Sequence, residues 1–318
     1  MKRIPSWVWL IVVAVFILAL SRMVTNEYYM FAGYVVLQYI VLASAWNILG
    51  GYAGYVNFGS AAFFAIGAYG TVVLDKLLEP PLVVAILFGG IVASLVGLVT
   101  AYLTLRLRGV FFAIATLALA IVLQTLVMNW EFVGGPLGFY AVRPDLIAGF
   151  PSYVNYLFVV MLVLALVAVL VARAIELSFV GRGLAAIRDN ELAAECCGVP
   201  TLRLKVFATM VSGGLMGMAG APFPYYITYI DPNSAFSLAY GINSIAMPLI
   251  GGMTHWIGPV IGAVLLSVIQ QVATVTISSE LNLMIVGVLL ISFITLAPNG
   301  IVGLFERYRK QSYRRTGT

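Results

Sequence analysis

The sequence predicts an all-α polytopic membrane protein of about ten transmembrane helices, on three observations. Of its 318 residues, 62% are hydrophobic and only 9% are charged, with a mean hydropathy of +1.05. A soluble domain of this length carries roughly a quarter charged residues, because it must present a polar surface to water. This chain lacks the charge to coat such a surface, which excludes a soluble enzyme, a disordered chain and a nucleic-acid module. The second observation is that runs of about 20 apolar residues, enough to cross a ~30 Å hydrocarbon core, recur along the whole chain. The third is an unequal division of the basic residues between the loops.

The spans follow in order. The first, 7–24, comes directly after Lys2 and Arg3 and so mimics a signal peptide. Arg22 interrupts the place where a small-residue cleavage site would sit, so an uncleaved helix is expected. Segments 31–49, 52–74, 82–104, 109–129 and 153–173 are apolar, their one charge being Arg173 at the last position. After a polar stretch come 204–227, 238–254, 257–278 and 281–304. Pro248 and the Gly251-Gly252 pair would break a lipid-facing helix, so 238–256 is either a span inside the bundle or a re-entrant hairpin.

With the N-terminus inside and ten crossings, 14 of the 17 basic residues fall on one side. Only Arg22, Lys76 and Arg143 fall on the other. The positive-inside rule makes the rich side cytoplasmic, with both termini there and a basic tail at 305–318. The formal charge of +5 therefore needs no nucleic acid to explain it. Ten spans also leave room for two inverted halves of five.

Chemistry-bearing residues are sparse. Cys196 and Cys197 are adjacent and have no zinc spacing, so they read as inert small residues. No metal site is expected. His255 is the single histidine and lies between two spans beside Trp256, where a structural role fits best. Asp75, Glu79, Glu131, Asp231 and Glu280 all fall at span ends, whereas ion-coupled carriers place carboxylates at mid-membrane depth. None of the four lysines follows a glycine, which rules out a phosphate-binding Gly-Lys-Ser/Thr loop. No Gly-x-Ser-x-Gly elbow is present either. If energy is used, another subunit supplies it. An integral-membrane enzyme would need clustered His, Asp or Glu at one interface, and a passive channel would need no docking element for a motor.

The longest polar stretch, Glu176 to Lys205, reads as a docking element for a partner protein. From Leu184 it is helix-forming, with Leu184, Ile187 and Leu192 on one face, and Gly198 with Pro200 ends it. Its alanine-rich apolar side is too small for firm adhesion to lipid, and it suits a groove in a partner protein. A single rigid helix over 182–198 is expected. The 31 glycines pack helices closely or permit breaks beside a cavity, most densely between residues 50 and 70.

Five ordered blocks resemble the LivM-type permeases of branched-chain amino-acid ABC importers, a family that also includes urea and sugar permeases. They are the stretch Gly51 to Tyr69; Gly109 to Leu117 with Gly134, Gly135 and Gly138; and Gly181 to Glu191 with Ala194 and Gly198. The fourth joins Asp231-Pro232, Phe236, Ser244, Gly251-Gly252, Gly258-Pro259 and Gly262, and the fifth is Leu296 to Gly303. The resemblance covers about 270 residues, from the second span to the last. Ser60 stands where the family commonly has histidine, and Thr254-His255 replaces a usual Gly-Thr. Both departures bear on the substrate rather than on the fold.

The resemblance implies one permease domain over 1–318, with an ATPase-coupling loop at 177–203. In that loop Gly181, Arg182, Ala186, Ile187, Arg188, Asp189, Asn190, Glu191, Ala194 and Gly198 would meet the motor. It implies a translocation path along Gly54, Asn57, Ser60, Phe63, Gly67 and Tyr69, and a gate or helix break at Gly251, Gly252, Gly258 and Pro259. It further implies a non-catalytic inner-membrane subunit without cofactor, paired with a LivH-like permease. Two ATP-binding subunits would carry ATP and Mg, and an extracytoplasmic binding protein would deliver the ligand. The alternatives are a permease for urea or short-chain amides and, in a different class, a passive small-solute channel.

Overall fold

A computed structural model of the chain describes residues 6–276 apart from 23–25, 79, 105–106, 108 and 144–149, together with scattered helical positions between 284 and 303. Among the described residues up to 276, twelve α-helices are defined: α1 (Ser6–Ser21), α2 (Glu27–Ala53), α3 (Ser60–Leu78), α4 (Leu82–Thr104), α5 (Val110–Met128) and α6 (Tyr153–Leu177). They continue with α7 (Phe179–Cys196), α8 (Thr201–Gly220), α9 (Phe223–Ile227), α10 (Pro232–Ala235), α11 (Leu238–Gly251) and α12 (Ile257–Thr276). Strands β1 (Phe139–Tyr140) and β2 (Tyr229–Ile230) pair antiparallel, with Phe139 opposite Ile230.

Among the described residues, eight stretches are helical, long and apolar enough to cross a bilayer, counting Thr201–Ile227 and Pro232–Gly251 as single crossings. The first expected span is present as α1, an apolar helix of 16 residues. Most of the last, 281–304, and the tail at 305–318 lie outside the described residues. The architecture is therefore an all-α polytopic bundle.

The expected span 52–74 is corrected: α2 runs on to Ala53, and residues 54–59 form a helix break before α3 starts at Ser60. A search for charge-free runs passes over this break, because Gly54 to Gly59 carries no charged residue. The backbone registers it. Gly54 takes the left-handed conformation (φ 76°) and caps α2, its N–H returning to the Leu49 carbonyl.

The centre of the bundle is α2, buried along most of its length and packed against α6, α8 and α12. Close approach of α3, α4 and α8 depends on glycine. A Cβ at Gly67 would strike the Gly217 carbonyl, one at Gly217 would strike Ala93, and one at Gly220 would strike the Phe64 carbonyl. The outer face of α4 shows the opposite pattern. Val83, Leu87, Ile91, Leu95, Val99 and Leu103 form an exposed apolar stripe at i, i+4 spacing, fit for hydrocarbon. Helix α5 buries only Phe112, Thr116 and Val127 and is the most peripheral of the long helices.

Candidate functional site

One end of the bundle carries a helix corner built around a single serine. Ser178 is extended (φ −85°, ψ 174°), so α6 stops and α7 starts in a new direction. Its hydroxyl donates to the Ile175 carbonyl at 2.7 Å and accepts from the N–H groups of Val180 (3.1 Å) and Gly181 (3.3 Å). One side chain thus closes both helix ends. Gly181 permits the tight corner, since a Cβ there would strike the Ile175 carbonyl.

Helix α7 is not the single rigid helix expected from the sequence. Asn190 leaves the helical region (φ −163°, ψ 106°) and divides α7 into two pieces. Its side chain accepts from the Ala193 N–H at 3.1 Å and so caps the second piece. Leu184, Ile187 and Leu192, expected on one face, do not share one environment: the first two are buried against the bundle and Leu192 is 60% exposed. The inward position belongs to Glu191 instead, because Lys205 lies opposite it on α8.

Three anchors hold this corner to the bundle. Glu191 pairs with Lys205 at 2.6 Å, and the Tyr55 hydroxyl donates to the other Glu191 oxygen at 2.5 Å. The Lys205 ammonium also lies 4.8 Å from the Tyr55 ring centre. Arg188 donates to the Gly51 carbonyl at 3.3 Å and pairs with Asp189 at 3.4 Å, while its stem lies over Gly54. Glu176, two residues before Ser178, accepts from the Trp256 N–H at 2.6 Å and from the Tyr52 hydroxyl at 3.3 Å, with His255 at 3.9 Å. The corner therefore touches both the α2–α3 break and the α11–α12 turn.

The residues expected along the path run from this end toward the other. Asn57 lies in the break, buried, its side chain accepting from the Gly59 N–H at 2.7 Å. Trp46 donates to the Asn57 carbonyl at 2.8 Å, and the Ser60 hydroxyl donates to the same oxygen at 3.2 Å. Phe63, Gly67 and Tyr69 continue along α3, all buried against α8 or Phe236. Beside Asn57 and Phe63, with Thr100 and Thr116, lies a cavity of about 10 Å³, which has room for one water and not for an amino acid.

The expected gate residues separate into two places. Gly251 and Gly252 end α11, whereas Gly258 and Pro259 lie in the first turn of α12. Their glycines let the two helices touch backbone to backbone, since a Cβ on Gly251 would meet the Gly258 carbonyl. Asn47 of α2 donates to the Met253 carbonyl at 3.0 Å and fixes the turn from the other side.

Residues 28–294 match the family described as branched-chain amino acid transport system / permease component. The chain belongs to this permease family. It is 26% identical over 289 residues to the high-affinity branched-chain amino acid transport system permease protein LivM of Salmonella typhimurium, covering 83% of this chain and 67% of that one. It is 24% identical over 315 residues to the probable LivM permease of Methanocaldococcus jannaschii, covering 84% and 90%. The probable LivH permease of the same organism is also 24% identical, over 268 residues. No solved structure gives a significant match.

In this permease, sequence reasoning missed Tyr52 and Tyr55 as partners of the corner, and took Glu176 and Lys205 only as the ends of its polar stretch. The available signal was Lys205, a lysine beginning a run of more than twenty uncharged residues, which demands an anion nearby.

Proposed function

We propose that this permease is a membrane subunit of an ATP-driven importer that moves branched-chain or related hydrophobic amino acids into the cytoplasm by alternating access. The observation that carries the reading is the α6–α7 corner, anchored at once to the α2–α3 break and to the α11–α12 turn. Two ATP-binding subunits, holding ATP and Mg, would grip the corners of the two permease chains, in this chain on the exposed surface where Phe179, Arg182 and Asp189 lie. The basic excess on this side of the chain supports placing it in the cytoplasm, with both termini, in the inner membrane.

A LivH-like permease would complete the path, and an extracytoplasmic binding protein would deliver the ligand. Asn57, Ser60, Phe63 and Tyr69 would border that path once the helices around them separate. A closing motion of the motor would move the corner as a rigid body and shift both anchored regions together. Relatives with names that specify branched-chain amino acids support that substrate class over urea or amides.

The test is Ala186→Pro in the first piece of α7, where proline removes a helix hydrogen bond and costs about 3 kcal/mol locally. Leucine uptake by the complete complex is expected to be lost while membrane insertion is retained. Wild-type uptake by that variant would sink the coupling assignment.

A further inference from the structure

At the end of the bundle opposite the corner lies a cavity of about 400 Å³, within the size range of small-molecule sites. Its walls carry Asp75 and Lys76 from the end of α3, Arg143, and the side chains of Phe139, Tyr140 and Val142 around β1. Basic residues are scarce on this side of the chain. Of the three found there, Arg22, Lys76 and Arg143, two converge on this one cavity.

The charges are held in place by neutral partners. Asp75 accepts from the Tyr225 hydroxyl at 2.8 Å. Arg143 donates to the carbonyls of Tyr225 and Tyr226, each at 2.9 Å. Lys76 donates to the Phe132 carbonyl at 2.7 Å and lies 4.9 Å from the Phe139 ring centre. Among the described residues, Asp75 forms no ion pair with Lys76 or Arg143. A carboxylate and two cations thus face one cavity without neutralising each other, and Tyr225 sets the spacing of Asp75 and Arg143 from a single residue.

We propose that this cavity is an extracytoplasmic reception site for a zwitterionic amino acid with an apolar side chain. Asp75 takes the ammonium group, Lys76 and Arg143 take the carboxylate, and Phe139, Tyr140 and Val142 cover the side chain. A monoamine or a monocarboxylate leaves one of the fixed charges without a counterpart, so both are rejected. Tyr225 sits on α9, which continues the crossing Thr201–Ile227 that carries Lys205 beneath the corner. The site is therefore built on the segment that the corner grips at its other end. This inference rests on the amino-acid reading above and adds the place where the free ligand is first held.

The experiment uses the complete permease–ATPase complex in proteoliposomes without binding protein, carrying Val142→Cys, with labelling by an impermeant maleimide mapped to position 142 by mass spectrometry. L-leucine is expected to slow labelling at that position several-fold. Isoamylamine and 4-methylpentanoate are expected not to. Asp75→Asn and Lys76→Met are each expected to abolish the protection. Equal protection by the amine or the acid, or protection that survives both substitutions, overturns the site. Leucine uptake by the binding-protein-supplied wild-type complex, together with absent protection, overturns the site alone. Absent uptake by the wild-type complex, together with absent protection in the Val142→Cys complex, overturns the amino-acid reading with it.

Discussion

Glu191 and Lys205 lie 2.6 Å apart, with side chains only 12% and 4% exposed, so the corner is pinned to α8 by a buried ion pair. The Tyr55 hydroxyl satisfies the second carboxylate oxygen and draws the α2–α3 break into the same cluster. Removing one partner leaves a buried charge uncompensated, which costs on the order of 3–5 kcal/mol. Glu191→Ala and Lys205→Met are each expected to lower the unfolding midpoint of the purified protein. The double variant is expected to regain much of the loss, because no lone charge remains. Additive losses in that cycle would show that the two residues do not act as a pair.

The second anchor is predicted to be local and measurable without transport. The Trp256 amide is held by a carboxylate oxygen at 2.6 Å, and hydrogen bonds to charged groups contribute about 1.5–3 kcal/mol. Glu176→Ala is therefore expected to speed hydrogen exchange at Trp256 by roughly ten- to hundred-fold, since each 1.4 kcal/mol is tenfold. Exchange at Ala193, on the far piece of α7, is expected to stay unchanged. An unaltered rate at Trp256 would remove Glu176 as the link between the corner and the α11–α12 turn.

The two anchors explain what was legible in the sequence and what was not. Span positions such as 82–104 follow from apolar length alone, and α4 occupies those residues. The break at 54–59 is invisible to a search for charge-free runs, because no charged residue marks it and the backbone of Gly54 turns the chain. Leu192 shares a helical face with Leu184 and Ile187 in the sequence pattern, but the inward position at that turn goes to Glu191, drawn by a residue fourteen positions further on. Lys205 needs an anion, and Glu191 supplies it. Long-range pairing of this kind leaves no local pattern.

Close helix packing yields a prediction with an internal control. Gly67 and Gly70 both lie on α3, three residues apart, yet they face different neighbours. A Cβ at position 67 would strike the Gly217 backbone, which has no side chain to move aside. A Cβ at position 70 would sit 3.4 Å from Gly89 Cα, an ordinary contact. Gly67→Ala is expected to force α3 from α8 and to reduce the folded fraction after extraction sharply. Gly70→Ala is expected to be neutral or to stabilise by up to about 1 kcal/mol through helix propensity. Size-exclusion chromatography of the two variants decides it, and equal behaviour would mean the α3–α8 contact is not set by glycine.

Asn190 separates the piece of α7 that carries Arg188 from the piece that carries Glu191. Arg188 reaches back to Gly51 and Glu191 reaches across to α8, so the joint sits between two anchors on different helices. The second piece, only a few residues long, depends on its cap, since the Asn190 side chain holds the Ala193 N–H at 3.1 Å. Losing such a cap costs about 0.5–2 kcal/mol. Asn190→Ala is expected to speed exchange at Ala193 several-fold, and Asn190→Asp to preserve the wild-type rate, because a carboxylate caps equally well. Both variants retain Arg188 and Glu191, so the Gly51 and Lys205 contacts should survive. If Asn190→Ala leaves exchange at Ala193 unchanged, the second piece of α7 is held by its contact with α8 alone and the joint has no capping role.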